Sequence, residues 1–342
     1  SSLRAKYCVS GSKQLKSYVK NKNLWIDECG KILLPTNKQS LKSIEILLDR
    51  AKISGIEAKK INSKEILELE KNANPIFDIG IHVPFTSVVN PKQVAASIKS
   101  DIQNLGVEVI YNSEVTKINT EKGSVFSNGN EYEAKMIINS AGLQADTIAK
   151  ISKFKSEYSF LPFKGKYWKL KKNISMSKLL YPVPNLHLPF LGIHTAHNSH
   201  GDIYLGPSST PVFGRENYRG FINFNIIEAL QIFISFIKKI ILNTNGLRTL
   251  AFREFKLIFA TGVFNEIKNL LNGIEKSDLK LSKNKVGIRS QIFDKKNDSL
   301  VSDFVIKKDK KMIHILNAIS PAFTASFGLA DYIIENIINE NY

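Results

Sequence analysis

The 342-residue chain holds six histidines, and three of them, His194, His197 and His200, stand three residues apart. Such a run invites a metal-site reading. On an extended or looped segment, however, that spacing does not converge the rings, and no Cys or acidic residue is patterned beside them, so no metal is expected. What histidine can supply is a proton acceptor near neutral pH, suited to taking the hydroxyl proton of an alcohol as it is oxidised. An extended segment from Phe190 to Thr195 would carry His194 toward such a site; the plainer reading is a satisfied core histidine. Arg289 ends an apolar approach through Val286 and Ile288. Its guanidinium suits bidentate capture of a carboxylate, or a structural ion pair. Tyr167 and Tyr181 would each donate a phenol to a carboxylate or simply pack.

The remaining composition narrows the field. Lys and Arg number 48 against 31 Asp and Glu, a formal +17, but only seven of the 48 are Arg. Arginine is the usual reader of bases and phosphates, so nucleic-acid binding has no motif behind it. A drift of composition toward Lys, Ile and Asn accounts for most of the excess. The densest run, Lys153 to Lys178, sets eight lysines against Glu157 and would attract an anionic substrate or membrane. Cys8 and Cys29 lie in no paired pattern, which suits a reducing, cytoplasmic setting without disulfide or zinc. No G-x-G-x-x-G and no G-x-x-x-x-G-K-[ST] occurs, so no standard phosphate-cradling loop is present.

The elements that must position these groups read as an α/β order. Leu3 to Lys20 has helical spacing; Leu24 to Asp27 and Lys31 to Pro35 read as short strands around Gly30. Gln39 to Gly55 reads as one amphipathic helix with Ile44, Ile46, Leu47 and Ala51 inward, and Ser63 caps another. Lys92 to Leu105 is a helix ending at Gly106. Val107 to Tyr111 reads as a buried strand and Glu114 to Ile118 as a second, followed by a hairpin at Asn128-Gly129. Met136 to Asn139 delivers Ser140-Ala141-Gly142 to a helix from Ala145, a turn that lets backbone approach a ligand. The middle, from Phe160 to Tyr218, is extended, with strands at Lys166 to Leu170 and Asp202 to Leu205. Helices fill Ile226 to Asn272. Phe221 to Leu242 reads as amphipathic, interrupted by Glu228, Gln231, Lys238 and Lys239, and not as a span. Near the end, Ser320 to Ser326 is a small-residue loop feeding a helix from Phe327 to Ile338.

Taken in order, these stretches resemble FAD-dependent oxidoreductases of the D-amino-acid-oxidase/glycine-oxidase superfamily, most of all the L-2-hydroxyglutarate dehydrogenase/oxidase branch. The resemblance is carried by Gly30-Lys31, Gly80 through Pro91, Ile138 through Leu143 with Asp146, and Pro162 through Tyr167. It continues in Tyr181-Pro182-Val183-Pro184, Phe190 through Thr195, Gly206-Pro207, Gly214 through Tyr218, Gly287 through Gln291, and Asn317 through Ala322 with Thr324. Family members open with a strand, a G-x-G-x-x-G turn and a helix, which the resemblance places ahead of Ser1.

The resemblance therefore implies a Rossmann-like FAD-binding domain, N-terminally truncated, interleaved with a mixed or antiparallel-sheet substrate domain. Residues 1–22, 84–153 and 286–342 would form the first; residues 23–83 and 154–285 the second. FAD would be held by Val115, by Ser140, Ala141 and Gly142, and by Ser320, Pro321, Ala322 and Thr324, the last group at a helix start facing the flavin carbonyls. His194, Arg289, Lys164 and Tyr167 would act on the substrate, a small 2-hydroxy acid or dicarboxylate, with oxygen or a quinone as electron acceptor. Lys164 and Lys166 stand where the branch usually has Arg and an acid, which leaves the acid open. An amino-acid or glycine-type oxidase, and a non-catalytic remnant, are the competing readings. With a quinone acceptor, the Phe221 to Leu242 helix would dock peripherally on the inner face of the membrane.

Overall fold

The computed structural model describes residues 2–186, 191–218 and 226–338. Its first helix, Leu3–Asn21, starts at Ser2, whose hydroxyl accepts the Ala5 amide. The Asp303 carboxylate accepts the amides of Leu3 and Arg4, so two more of the helix's orphan donors are met from the other end of the chain. This helix lies along the last long one, Ala322–Ile333. Glycine makes the approach possible: a Cβ at Gly11 would stand 2.8 Å from the Ala325 Cα. Tyr7, Ala325, Leu329 and Ile333 fill the seam with Phe304 and Ile313.

Ile313 belongs to a three-stranded sheet in which Met312–Ile315 pairs antiparallel with Ile306–Asp309 and parallel with Ile137–Asn139. Beside it runs the meander Val115–Asn119, Ser124–Ser127 and Asn130–Glu133. Asn128 and Gly129 close its hairpin with φ of 50° and 80°, the conformation Asn-Gly is chosen for. A second region is built on two sheets. One runs Leu179–Pro182, Lys31–Leu34, Gly80–Val83, Lys59–Ile61; the other is antiparallel and centres on Phe163–Leu170. Ile32, Leu34, Leu180, Leu205 and Leu270 belong to the large core they share with the helix Ala260–Ile267.

The central antiparallel pair matters most. Phe163–Leu170 pairs with Leu279–Arg289, Phe163 facing Arg289 and Leu170 facing Leu279. Between Lys166↔Val286 and Trp168↔Leu281 the register slips, so Ser282 to Lys285 stand as a bulge opposite Tyr167. Bulges of this kind re-aim a side chain. The expected boundary between residues 285 and 286 falls inside this strand.

Several expectations are corrected. Val107 to Tyr111 is not a buried strand: Val107, Ile110 and Tyr111 are exposed, and no strand lies alongside among the described residues. An apolar run becomes a strand only when a neighbour takes up its backbone groups, and Asn112, at φ 52°, turns the chain away. The short strands on either side of Gly30 are present as Ile26–Asp27 and Lys31–Leu34, the first paired with Val88–Val89 and the second with two other strands. The helix expected over Gln39 to Gly55 is two, Lys38–Leu41 and Ser43–Ile53, because Asn37 and Ser40 close a capping box around the first turn. Ile46 faces solvent. Asn62, not Ser63, caps the helix Ser63–Leu69, in a box with Glu65. The last helix starts at Ala322, five residues early, because the small residues of the expected loop are themselves helix-compatible. His194 opens its strand rather than ending one. Phe190, and Phe221 to Asn225 of the expected amphipathic helix, lie outside the described residues.

Candidate active site

His194 is buried at the start of the strand His194–His197, opposite Gly206. Its Nδ1 lies 2.9 Å from the Gly192 carbonyl. A carbonyl only accepts, so Nδ1 carries the proton and Nε2 is left as the bare acceptor. Burial pushes the imidazole pKa down to about 4, outweighing the Gly192 bond, and the charges of Lys31, Arg289 and Lys285 lower it further. The ring is therefore neutral at physiological pH, with Nε2 unprotonated. Tyr181 stacks on it at 4.0 Å between centroids and 14° between planes. Burial raises the Tyr181 phenol, with Tyr167 adding to the effect, so its hydroxyl keeps its proton.

Three cations lie within electrostatic reach of His194. Lys31, from the strand next to Tyr181's, sets its Nζ 5.3 Å from the Tyr181 ring centre, and burial lowers its pKa. Lys285, thrown out by the bulge, sits 3.8 Å from the Tyr204 ring and 4.8 Å from that of Tyr167. Burial brings it down to about 8. Among the described residues neither lysine has an ion-pair partner. Arg289 donates from Nη1 to Ser209 Oγ at 2.5 Å, and burial lowers its pKa against the pull of Tyr167 and Glu254. The buried Glu254 carboxylate accepts the Ser209 amide, so it anchors the residue that orients Arg289. Gly206 completes the packing: a Cβ there would meet Tyr167 Cδ1 at 2.9 Å, which no larger residue tolerates beside His194's partner strand.

His194, Tyr167 and Arg289 are thus brought together. Lys164 is not. It faces Ile288, one residue out of phase with Arg289, and alternation turns it to the other side of the sheet. There its Nζ donates to Asn217 Oδ1 at 2.9 Å. Lys31 and Lys285 are candidate site residues that the sequence reading did not single out. Nothing distinguishes them among so many lysines, although Gly30-Lys31 belongs to a stretch that carries the resemblance.

The residues expected to hold FAD form a second group. Ser140, Ala141 and Gly142 make an exposed turn after Ile137–Asn139, with open space where a Gly142 side chain would be. Asn139 braces it, accepting the Ala141 amide at 3.2 Å and donating to the Ala145 carbonyl at 2.7 Å. Val115 starts the meander's first strand, partly buried. Pro321 stands at the N-cap of Ala322–Ile333, and no side chain caps that helix. Its first-turn amides, those of Ala322, Phe323 and Thr324, are available to an acceptor such as a flavin carbonyl, which is the donor set FAD needs there. The two groups adjoin through the first helix. Gly11 abuts Thr324 and Ala325, and one turn earlier Cys8 lies within electrostatic reach of Lys31.

The H-x-x-H-x-x-H run does not converge: His200 is exposed at a turn, and His197 turns toward Asp27, Nε2 to Oδ2 at 2.7 Å. The expectation that it has no Cys or acidic neighbour is corrected. Asp27 and Cys29, distant in sequence, reach within 4.8 Å of the His197 ring nitrogen, although Asp27 and His197 already satisfy each other.

Comparison with known proteins bears on this geometry. A family model described as FAD dependent oxidoreductase matches residues 3–336. The L-2-hydroxyglutarate dehydrogenase of Escherichia coli K12 is 30% identical over 342 residues, covering 98% of this chain and 79% of that protein. The mitochondrial L-2-hydroxyglutarate dehydrogenase of Homo sapiens is 28% identical, covering 98% and 76%. Among solved structures, L-α-glycerophosphate oxidase from Mycoplasma pneumoniae with FAD bound superposes with a TM-score of 0.73 at 18% identity, over 97% of this chain and 79% of that one. Glycine oxidase from Geobacillus kaustophilus gives 0.64 at 12% identity, over 96% and 78%.

Proposed function

Because the chain belongs to the family of FAD-dependent oxidoreductases, we propose that it oxidises the C2 alcohol of a small 2-hydroxy dicarboxylate of the L-2-hydroxyglutarate type to the 2-oxo acid. The observation that carries this reading is the neutral, buried His194 within electrostatic reach of Lys31, Lys285 and Arg289. A dianion would supply the counter-charge that the two lysines lack among the described residues. The names of the relatives, L-2-hydroxyglutarate dehydrogenases, agree with such a dianion.

In this reading the Arg289 guanidinium faces one carboxylate, whose geometry its planar fork matches. Lys285 and Lys31 attract the other as point charges. His194 Nε2 takes the hydroxyl proton, its orientation fixed by the Gly192 carbonyl and the stacked Tyr181. Tyr167 and Tyr204 hold Lys285 in place and keep water from the site. FAD, when bound, supplies the hydride acceptor. Val115, Ser140, Ala141, Gly142, Ser320, Pro321, Ala322 and Thr324 would hold it. The domain division given above follows from the same reading, as does oxygen or a quinone as final acceptor.

The test is direct. The full chain, loaded with FAD under anaerobic conditions, should lose its yellow colour on addition of L-2-hydroxyglutarate. Bleaching by glycine or proline alone would assign it to amine oxidation. A protein that takes up FAD and is bleached by none of these would be non-catalytic.

A further inference from the structure

We propose that Asp27, Cys29 and His197 form a site for a zinc-class divalent cation, which staples the segment before Lys31 to the strand that carries His194. The proposal stands on these three side chains and not on the substrate assigned above.

The chain gathers the donors in two steps. Residues two apart on a strand share a face, and Asp27 and Cys29 straddle the end of Ile26–Asp27 in this way. Glu28 between them turns out to Lys16 and Lys20. The fold then brings in His197, whose Nε2 lies 2.7 Å from Asp27 Oδ2. Cys29 Sγ, an Asp27 oxygen and a His197 ring nitrogen all fall within 4.8 Å of one another. Pairing fixes the backbone under each donor. Asp27 stands opposite Val88 and His197 opposite Ile203, and Gly30, next to Cys29, donates to the Thr86 carbonyl at 2.8 Å. Trp25 meets the His197 ring edge-on at 6.2 Å between centroids.

The donor set selects the ion. Thiolate and imidazole suit zinc, whereas calcium and magnesium take oxygen. Tetrahedral zinc sets neighbouring donors about 3.2–3.7 Å apart, so the Asp27–His197 contact opens by roughly 0.5 Å and the Cys29 sulfur closes in by about 1 Å. A thiolate and a carboxylate cancel the charge of the ion, and neutral imidazole adds none, so the bound site carries no net charge into its half-buried setting. Protons balance as well. Burial, with Asp27 adding to it, pushes the Cys29 thiol up to about 11, so its proton passes to solvent as the metal–sulfur bond forms. His197 Nδ1, buried and without a hydrogen-bond partner among the described residues, takes the ring proton when Nε2 turns to the ion.

Titration of the chelator-treated full chain with Zn²⁺, and with Co²⁺ as a coloured stand-in, tests this. One equivalent should bind at micromolar free metal, more tightly as pH rises, and Co²⁺ should show a thiolate-to-metal charge-transfer band. Cys29→Ser should abolish that band. Cys29→Ser and His197→Ala should each weaken zinc binding by at least the roughly tenfold to hundredfold that loss of an outer-shell partner costs. Cys8→Ser should change neither. Zinc should raise the melting temperature of the parent and leave that of Cys29→Ser where it was. Metal-free melts matching the parent's will show that the variants fold; should one ligand variant fail to fold, the other carries the test. The proposal is overturned if the parent takes up no zinc at micromolar concentration, if the ligand variants bind it as the parent does, or if Cys8→Ser removes the band.

Discussion

The imidazole of His194 lies flat on the phenol ring of Tyr181, 4.0 Å away. With Nδ1 committed to the Gly192 carbonyl, the stack covers one face and leaves the Nε2 edge as the reactive side. A stacked, buried, neutral imidazole is a base whose direction is set before substrate arrives, which avoids reorganisation during proton transfer.

We expect His194→Gln to lower kcat by about two to four orders of magnitude, the usual worth of a positioned general base. In the parent enzyme the base must be unprotonated and its pKa is about 4, so kcat/KM should stay level from neutrality to about pH 5 and fall below about 4. Tyr181→Leu opens the ring to water and should move that acid limb upward. A limb that stays near 6.5 in the parent would show that the proton acceptor is another group.

Lys285 should set affinity more than rate. Lys285→Met is expected to raise KM for a dicarboxylate by about tenfold to a hundredfold with a smaller change in kcat, consistent with loss of a desolvated charge contact. Its folded pKa of about 8 lies below the ordinary lysine value, so the charge is present below pH 8 and is lost as pH rises through it. kcat/KM should therefore decline above about pH 8 in the parent. Lys285→Arg should abolish that decline.

Gly11→Ala should strike the helix seam. The added carbon would stand 2.8 Å from both Ala325 Cα and the Thr324 carbonyl oxygen, backbone atoms that cannot swing aside. A loss of about 1–3 kcal/mol is expected from overpacking, read as a lowered melting temperature. The displaced element is the uncapped helix start, so FAD affinity measured by fluorescence quenching should fall as well.

Arg215 clasps the turn at Ser140–Gly142 from the other side. Its guanidinium forks onto both Asp146 oxygens at 2.5 and 2.8 Å and reaches the Leu143 carbonyl. Both side chains are largely buried, so Arg215→Ala strands a carboxylate and should cost about 3 kcal/mol in denaturant unfolding. Arg215→Lys should recover part of this, since it restores charge without the fork.

Much of the framework was legible. The Asn128-Gly129 hairpin, the strand into Ser140-Ala141-Gly142 and the helix after it, and the first helix follow from turn chemistry and period, which are local signals. His194, Arg289 and Tyr167 were legible because their residue types are chemically marked. Lys31 and Lys285 were not, because their role is set by burial against tyrosine rings supplied by other strands. The bulge that aims Lys285 is a property of a strand pair and has no signature in either strand alone. That Lys164 falls on the face away from Arg289 was hidden for a related reason: which face a strand residue occupies depends on register, and one step reverses it.

The pairing of Phe163–Leu170 with Leu279–Arg289 also has a consequence for synthesis. More than a hundred residues separate the two strands, and Lys31 lies further back still. Contacts of such span close slowly, after the loop entropy between them has been overcome. On the ribosome the central strand must wait, one edge unpaired, until Arg289 has cleared the exit tunnel. We expect nascent chains stalled before residue 279 to be trapped by holdase chaperones, and chains stalled well beyond Arg289 to be released.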